Sequence, residues 1–256
     1  MKKLRDAFRR EAGWIWHQKA KASALGLHLN EETITETVLL SLARQFQGGK
    51  LAITPFNKPQ EARNGADWEL WFASGSSSRG LGLRVQAKRL YPSGLYDSLK
   101  PAGVQTNKLI ARAGACVPVF AFFNDEQMFT PSTPSCGCSY REPSYRGCII
   151  VPAKSVSTIG SNSPGALATK SIPLHCLLCD GSSAKRAATD LSQQVAQNLD
   201  RFCDNLNAAQ LADTPIPDGL LQWATATDVR RTYPEHLLPY LEARKLAGVA
   251  LIKADE

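Results

Sequence analysis

The sequence has no run of about 18 uncharged apolar residues, the length that a membrane-crossing helix needs. Its basic start, Met1-Lys2-Lys3-Leu4-Arg5, lacks the apolar stretch that would make it a secretory signal. A cytoplasmic protein with no membrane partner is therefore expected. No internal repeat is visible, which argues against a solenoid. No base-reading motif stands out. Acids are fewer than bases: 23 Asp and Glu stand against 30 Lys and Arg, a net charge of +7. Such a surplus suits a polyanion such as nucleic acid without requiring one.

What is present is ordinary for a globular domain: 256 residues, 43% of them apolar and 21% charged. That length can bury a substantial core. Seven cysteines in a reducing compartment are expected as thiols or metal ligands, not as disulfides.

The chain divides into three parts. Residues 1–29 read as a basic helix that turns Trp14 and Trp16 inward. Residues 30–154 alternate helical and extended patterns. Asn30 stands as an N-cap, with Glu31 and Glu32 in the first turn of a helix running to about Gln47. Leu51–Pro55 is a short strand. The Asn64-Gly65 turn precedes an aromatic strand from Asp67 to Phe72, and Leu81–Arg89 returns as its hairpin partner. A helix over Gly103–Ala113, an apolar strand over Cys116–Phe123 and a strand over Cys148–Val151 follow. Residues 155–256 form a loop-rich and helical extension packing on that core. In it, residues 155–171 are expected as a surface loop because Ser, Gly, Asn and Thr dominate. An amphipathic helix spans roughly 184–211, with Leu191, Val195, Leu199, Phe202 and Leu206 as its stripe. Leu237–Leu241 begins a last helix ending near Gly248.

One constellation carries chemistry. Phosphodiester hydrolysis needs a divalent metal, oxygen ligands to hold it, and a group that orients the attacking water. Asp67 opens one strand of the hairpin. Gln86 and Lys88, two apart on the other, point to one face. Gln86 and the Ala87 carbonyl offer neutral oxygens, and Lys88 offers a cation for the water or the phosphate. A bland alternative has Asp67 capping a turn and Lys88-Arg89 as a solvated strand end. Against it, Lys88 interrupts a strand that should be buried beside Val85. Glu69 shares the face of Asp67, as a further ligand or as an edge charge.

The ordered set of Glu36 on a helix, Gly65-Ala66-Asp67, Gln86-Ala87-Lys88-Arg89, then a helix and an apolar strand resembles the PD-(D/E)XK nuclease superfamily. The resemblance covers residues 30–124 and is nearest to the branch of methyl-directed restriction and Holliday-junction-resolvase-like enzymes. It implies an α/β, restriction-endonuclease-like fold with a mixed central sheet flanked by helices. It implies a Mg²⁺- or Mn²⁺-dependent endonuclease, on DNA ahead of RNA, in restriction or phage defence. The implied site is Glu36, Asp67, Gln86 and Lys88, with Gln105 on the following helix as a helper. Asp67, Gln86, Glu36 and Glu69 are the candidate metal ligands. A homodimer is consistent with cutting two strands. The basic helix, with Lys2, Lys3, Arg5, Arg9 and Arg10, could contact phosphates or be a solvated face.

Cysteine supplies a second candidate. Cys136-Gly137-Cys138 and Cys176-Leu177-Leu178-Cys179 could together hold a structural Zn²⁺, and His175 adjoins the second pair. The alternative is that Cys176 and Cys179 are small buried residues. Cys116, Cys148 and Cys203 lie in apolar runs and read as core. A Cys nucleophile beside His175 has no activating pattern to support it. The competing function is an inactive nuclease-fold protein that binds nucleic acid, or a zinc-stabilised module whose C-terminal helices bind a partner protein.

Overall fold

The computed structural model describes residues 2–46, 51–53, 68–126, 142–179, 190–202, 206–225, 237–246 and 248–254. In chain order the elements are α1 (Lys2–Ala24), α2 (Glu31–Gln45), β1 (Leu51–Ile53), β2 (Trp68–Ser74) and β3 (Arg79–Arg89). Then come α3 (Val104–Ala111), β4 (Val117–Phe123), β5 (Cys148–Pro152), α4 (Ala153–Ile159), α5 (Pro164–Ala168) and β6 (Ile172–Pro173). The chain continues through α6 (Leu191–Phe202), α7 (Ala208–Leu211), β7 (Thr214–Pro215), α8 (Asp218–Thr225), α9 (Leu238–Arg244) and β8 (Gly248–Ala254). Two short 3-10 helices cover Pro143–Arg146 and Leu174–Leu178.

The strands form one mixed sheet in the order β1-β8-β2-β3-β4-β5-β6, with β7 pairing the start of β3. β2 and β3 are an antiparallel hairpin in which Trp68 faces Val85 and Glu69 faces Arg84. β4 runs parallel to β3 after the α3 crossover. β8, the last strand of the chain, stands inside the sheet, antiparallel to β1 and parallel to β2. The C-terminal segment thus supplies sheet as well as covering helices.

Strand alternation sends the hairpin's side chains to two buried faces. Trp68, Leu70 and Phe72 of β2 and Leu81, Leu83, Val85 and Ala87 of β3 meet α1, α2 and α6 through Phe8, Ile15, Ile34, Val38 and Leu199. Trp71 and Ala73, with Phe120 and Phe122 of β4, meet α3, α4, α8 and α9 through Leu109, Val156, Leu220 and Leu241. Both faces are covered, which is the α/β layering the sequence led one to expect. An apolar-lined cavity of about 40 Å³ lies between α1, α2 and the first face, lined by Phe8, Val38, Leu83 and Ile150 among others.

Two expectations are corrected. Residues 155–171 are not a surface loop: α4 and α5 occupy most of the segment and bury Val156, Leu167 and Ala168. Polar composition masked a helix stop and a helix start, Gly160 in the left-handed region at φ 66° and Pro164 at the first turn. Nor does one helix span 184–211. α6 begins only at Leu191, where Asp190 caps it, and Asn207 at φ 53° separates it from α7. Residues 180–189 and 203–205 lie outside the described residues.

Candidate active site and a second cluster of metal-ligating residues

Gln86 and Lys88 sit on β3, 3% and 6% exposed. Their partners in the register with β4 are Phe120 and Phe122, so both project to the second face, beneath α3. On that face Phe122, the β4 partner of Lys88, lies 4.3 Å from Tyr96, ring centre to ring centre. An ammonium in such surroundings is costly unless an anion or hydrogen-bond acceptors compensate it. Lys88 is therefore held by the fold and is not a solvated strand end.

Asp67 lies outside the described residues, as do Gly65 and Ala66. It directly precedes Trp68, whose strand partner Val85 directly precedes Gln86. Gln105 is half-buried on α3, on the same side of the sheet as Gln86 and Lys88. Glu36 is half-buried on α2, whose inward stripe of Ile34, Val38 and Leu42 packs on the other face. The helix carrying Glu36 thus lies across the sheet from the side chains of Gln86 and Lys88. It is the start of α2 that reaches β3: Glu31 accepts from the Arg89 backbone N–H at 3.3 Å and lies 3.9 Å from its guanidinium.

Glu69 is drawn into another arrangement. One carboxylate oxygen accepts from Arg84 Nη1 at 3.2 Å and from Arg244 Nε and Nη2 at 3.0 and 2.6 Å. The other accepts from Trp71 Nε1 at 3.2 Å and from the Tyr240 hydroxyl. Arg84 and Arg244 also donate to backbone carbonyls, of Arg244 and Ala113, each at 2.8 Å. Burial pushes the Tyr240 hydroxyl and the Cys116 thiol far above their ordinary values, and neighbouring Glu69 adds to both shifts. With both oxygens occupied, the Glu69 carboxylate works as the anion of a buried ion-pair cluster that locks α9 onto β2 and β3.

A rim forms where β3 and β4 end. Lys19 of α1 is buried there, 3.4 Å from Asp125 and donating to the Leu90 carbonyl at 3.0 Å. Burial lowers its pKa and Asp125 partly opposes that. Arg89 stacks over Tyr91 at 4.3 Å, and the Tyr96 hydroxyl donates to Asn124 at 2.6 Å. Sequence reasoning passed over Arg84, Lys19 and Asp125. The one local signal was Arg84 standing between Leu83 and Val85. Of the basic helix, Lys2 and Lys3 are exposed, whereas Arg9 pairs with Asp6 at 3.5 Å and stacks over Tyr145.

The second cluster sits on the first face. His175, Cys176 and Cys179 are each at most 2% exposed, and their ligand atoms all lie within 4.8 Å of one another. Cys136 and Cys138 lie outside the described residues. Cys116 and Cys148 are buried as expected, and burial raises the Cys148 thiol to about 12. Cys203 lies outside the described residues.

A mixed sheet between helices, with an ordered helix–strand–strand–strand–helix–strand succession from α2 to β4, defines the class as α/β. The chain belongs to the family of unknown function DUF6615, whose pattern matches residues 4–256. No curated protein and no solved structure matches it.

Proposed function

We propose that the chain is a metal-dependent nuclease, a DNA endonuclease in phage defence, with its site at the Asp67, Gln86 and Lys88 end of the hairpin. The observation that carries this reading is the buried pair Gln86 and Lys88, side by side on one face of β3. The chain connectivity of Asp67 to Trp68, paired with Val85, supports adding the carboxylate to that pair.

The donors suit a hard cation: a carboxylate from Asp67 and a neutral amide oxygen from Gln86. A Mg²⁺ or Mn²⁺ ion there would withdraw charge from the scissile phosphate. Lys88 would orient the attacking water or neutralise charge on a non-bridging oxygen, in a setting where burial strengthens its field. Gln105 approaches from α3 as a group that positions water or phosphate. Glu36 remains a proposed member only if the phosphate is reached past the sheet edge, since α2 packs on the opposite face. Glu69 is better placed as the structural anion of the Arg84 and Arg244 cluster.

The test incubates the protein with supercoiled plasmid, linear duplex, single strand and RNA, each with Mg²⁺, Mn²⁺ or EDTA. Cleavage that needs the metal and falls by about 100-fold or more in Asp67→Ala and Lys88→Ala is expected. Equal cleavage by wild type and variants would remove the active-site assignment. Metal-independent tight binding without cleavage would favour the non-catalytic nucleic-acid-binding alternative.

A further inference from the structure

The buried trio of His175 and Cys176 on the 3-10 helix Leu174–Leu178 and Cys179 just after it is separate from the hairpin site and on the opposite face of the sheet. We propose that His175, Cys176 and Cys179 bind a zinc ion that pins this segment between α1 and α6.

Three observations carry the proposal. The first is distance. His175 Nε2 and Cys176 Sγ are 3.3 Å apart, and all three ligand atoms fall within 4.8 Å of one another. Tetrahedral zinc, with Zn–S of about 2.3 Å and Zn–N of about 2.0–2.1 Å, spaces its ligands by about 3.5–3.8 Å. Movements of about 1 Å separate the observed spread from that geometry.

The second is ligand chemistry. Two thiols at the common two-residue spacing plus an imidazole form a soft donor set, the type that selects zinc over Mg²⁺. The Cys179 thiol lies 3.7 Å from the His175 carbonyl, so the same short segment gathers all three donors. As thiolates on a cation, their charge would be neutralised inside the core.

The third is the support around them. Asn198 of α6 donates to the carbonyls of Leu177 and Cys179 at 2.9 and 3.0 Å, and Gln194 donates to that of Leu178 at 3.4 Å. These side chains hold the backbone that presents the ligands, as outer-shell groups do at metal sites. Tyr145 meets the His175 ring edge-on at 5.8 Å and fixes its plane. Three protein ligands leave the fourth position of the ion to another donor.

The role is structural. Zinc here would cross-link a short segment of irregular backbone to the first apolar cluster, and metal binding would add to folding stability. Nuclease activity could fail to appear without touching this proposal, and the reverse also holds.

The test is metal analysis of the purified full-length chain, together with Co²⁺ substitution. About one zinc per chain is expected, with a cobalt form showing thiolate-to-metal charge-transfer bands and intense visible bands of tetrahedral cobalt. Cys179→Ser and His175→Ala should lower zinc content and remove or shift those bands, while Cys148→Ala should retain both. Because the ligand variants could unfold, wild-type thermal unfolding with and without a strong chelator is the second readout, and a lowered Tm on chelation is expected. A folded wild-type protein that takes up neither zinc nor cobalt would overturn the proposal. So would cobalt bands unchanged in both ligand variants.

Discussion

Glu69 and Arg84 face each other across β2 and β3, both fully buried and 3.2 Å apart. Removing the anion leaves Arg84 charged and enclosed, with only a carbonyl for company. Glu69→Ala should therefore cost about 3–5 kcal/mol in urea unfolding. Arg244→Ala removes a partner that is 24% exposed, and should cost less because Arg84 still balances Glu69. Equal losses would show that the cluster does not act as a central anion with a buried cation. Charges inside an apolar strand were visible in the sequence for Glu69, Arg84 and Lys88. What pairs with them was not. Arg244 lies 160 residues beyond Arg84 and arrives only because α9 docks on the second face. Side-chain pairing at that separation follows from the fold and leaves no local trace.

The helices show how element boundaries depend on single caps. Asp190 Oδ1 accepts from the backbone N–H of Ser192 at 2.7 Å, and from the hydroxyls of Ser192 and Ser74 at 2.6 and 2.9 Å. Partial burial opposes ionisation, yet these hydrogen bonds outweigh it and hold the carboxyl below its ordinary value. A depressed carboxyl pKa stabilises the fold above the unfolded value, and that contribution is lost as pH falls through the folded value. Asp190→Ala should cost about 1 kcal/mol at neutral pH. Asp190→Asn should keep most of the cap while flattening the loss of stability below about pH 4. Unfolding midpoints at several pH values measure both, and an unchanged acid limb in Asp190→Asn would contradict the assignment. The amphipathic stripe of α6 was legible from Leu191 to Leu199, but its start was not, because Asp190 needs Ser74 from β2 to complete the cap.

α1 depends on a close approach of a different kind. A Cβ on Gly147 would lie 2.0 Å from the Ala12 carbonyl oxygen and 2.8 Å from the Trp16 backbone nitrogen. Neither backbone atom can move without shifting the helix. Gly147→Ala should destabilise by about 2 kcal/mol or more, read in thermal or urea unfolding. A neutral result would mean that α1 does not pack against the segment before β5 as closely as described. Helix α1 itself was readable over its whole length from composition, but its seat was not.

At the scale of the molecule, the α2-to-β4 succession was legible because each element carries its own periodicity, and the hairpin because two apolar strands flank a Gly-Ser turn. The sheet order was not. β8 inserts between β1 and β2, a pairing across almost the whole chain that no local pattern encodes. For the candidate site, the two-residue step from Gln86 to Lys88 gave their shared face directly. The placement of Glu36 across the sheet and of Glu69 in an ion-pair cluster emerged only with the helices docked. The proposed hairpin chemistry rests on Lys88, the cation that β3 buries opposite Phe122 of β4. The most direct measurement is Mg²⁺-dependent cleavage of one defined duplex by wild type and Lys88→Ala at equal concentration, with circular dichroism to confirm that both are folded. Cleavage by the wild type and a loss of about 100-fold or more in the folded variant is the result predicted. Undiminished cleavage by Lys88→Ala, or none by a folded, metal-loaded wild type on any nucleic acid, would contradict it.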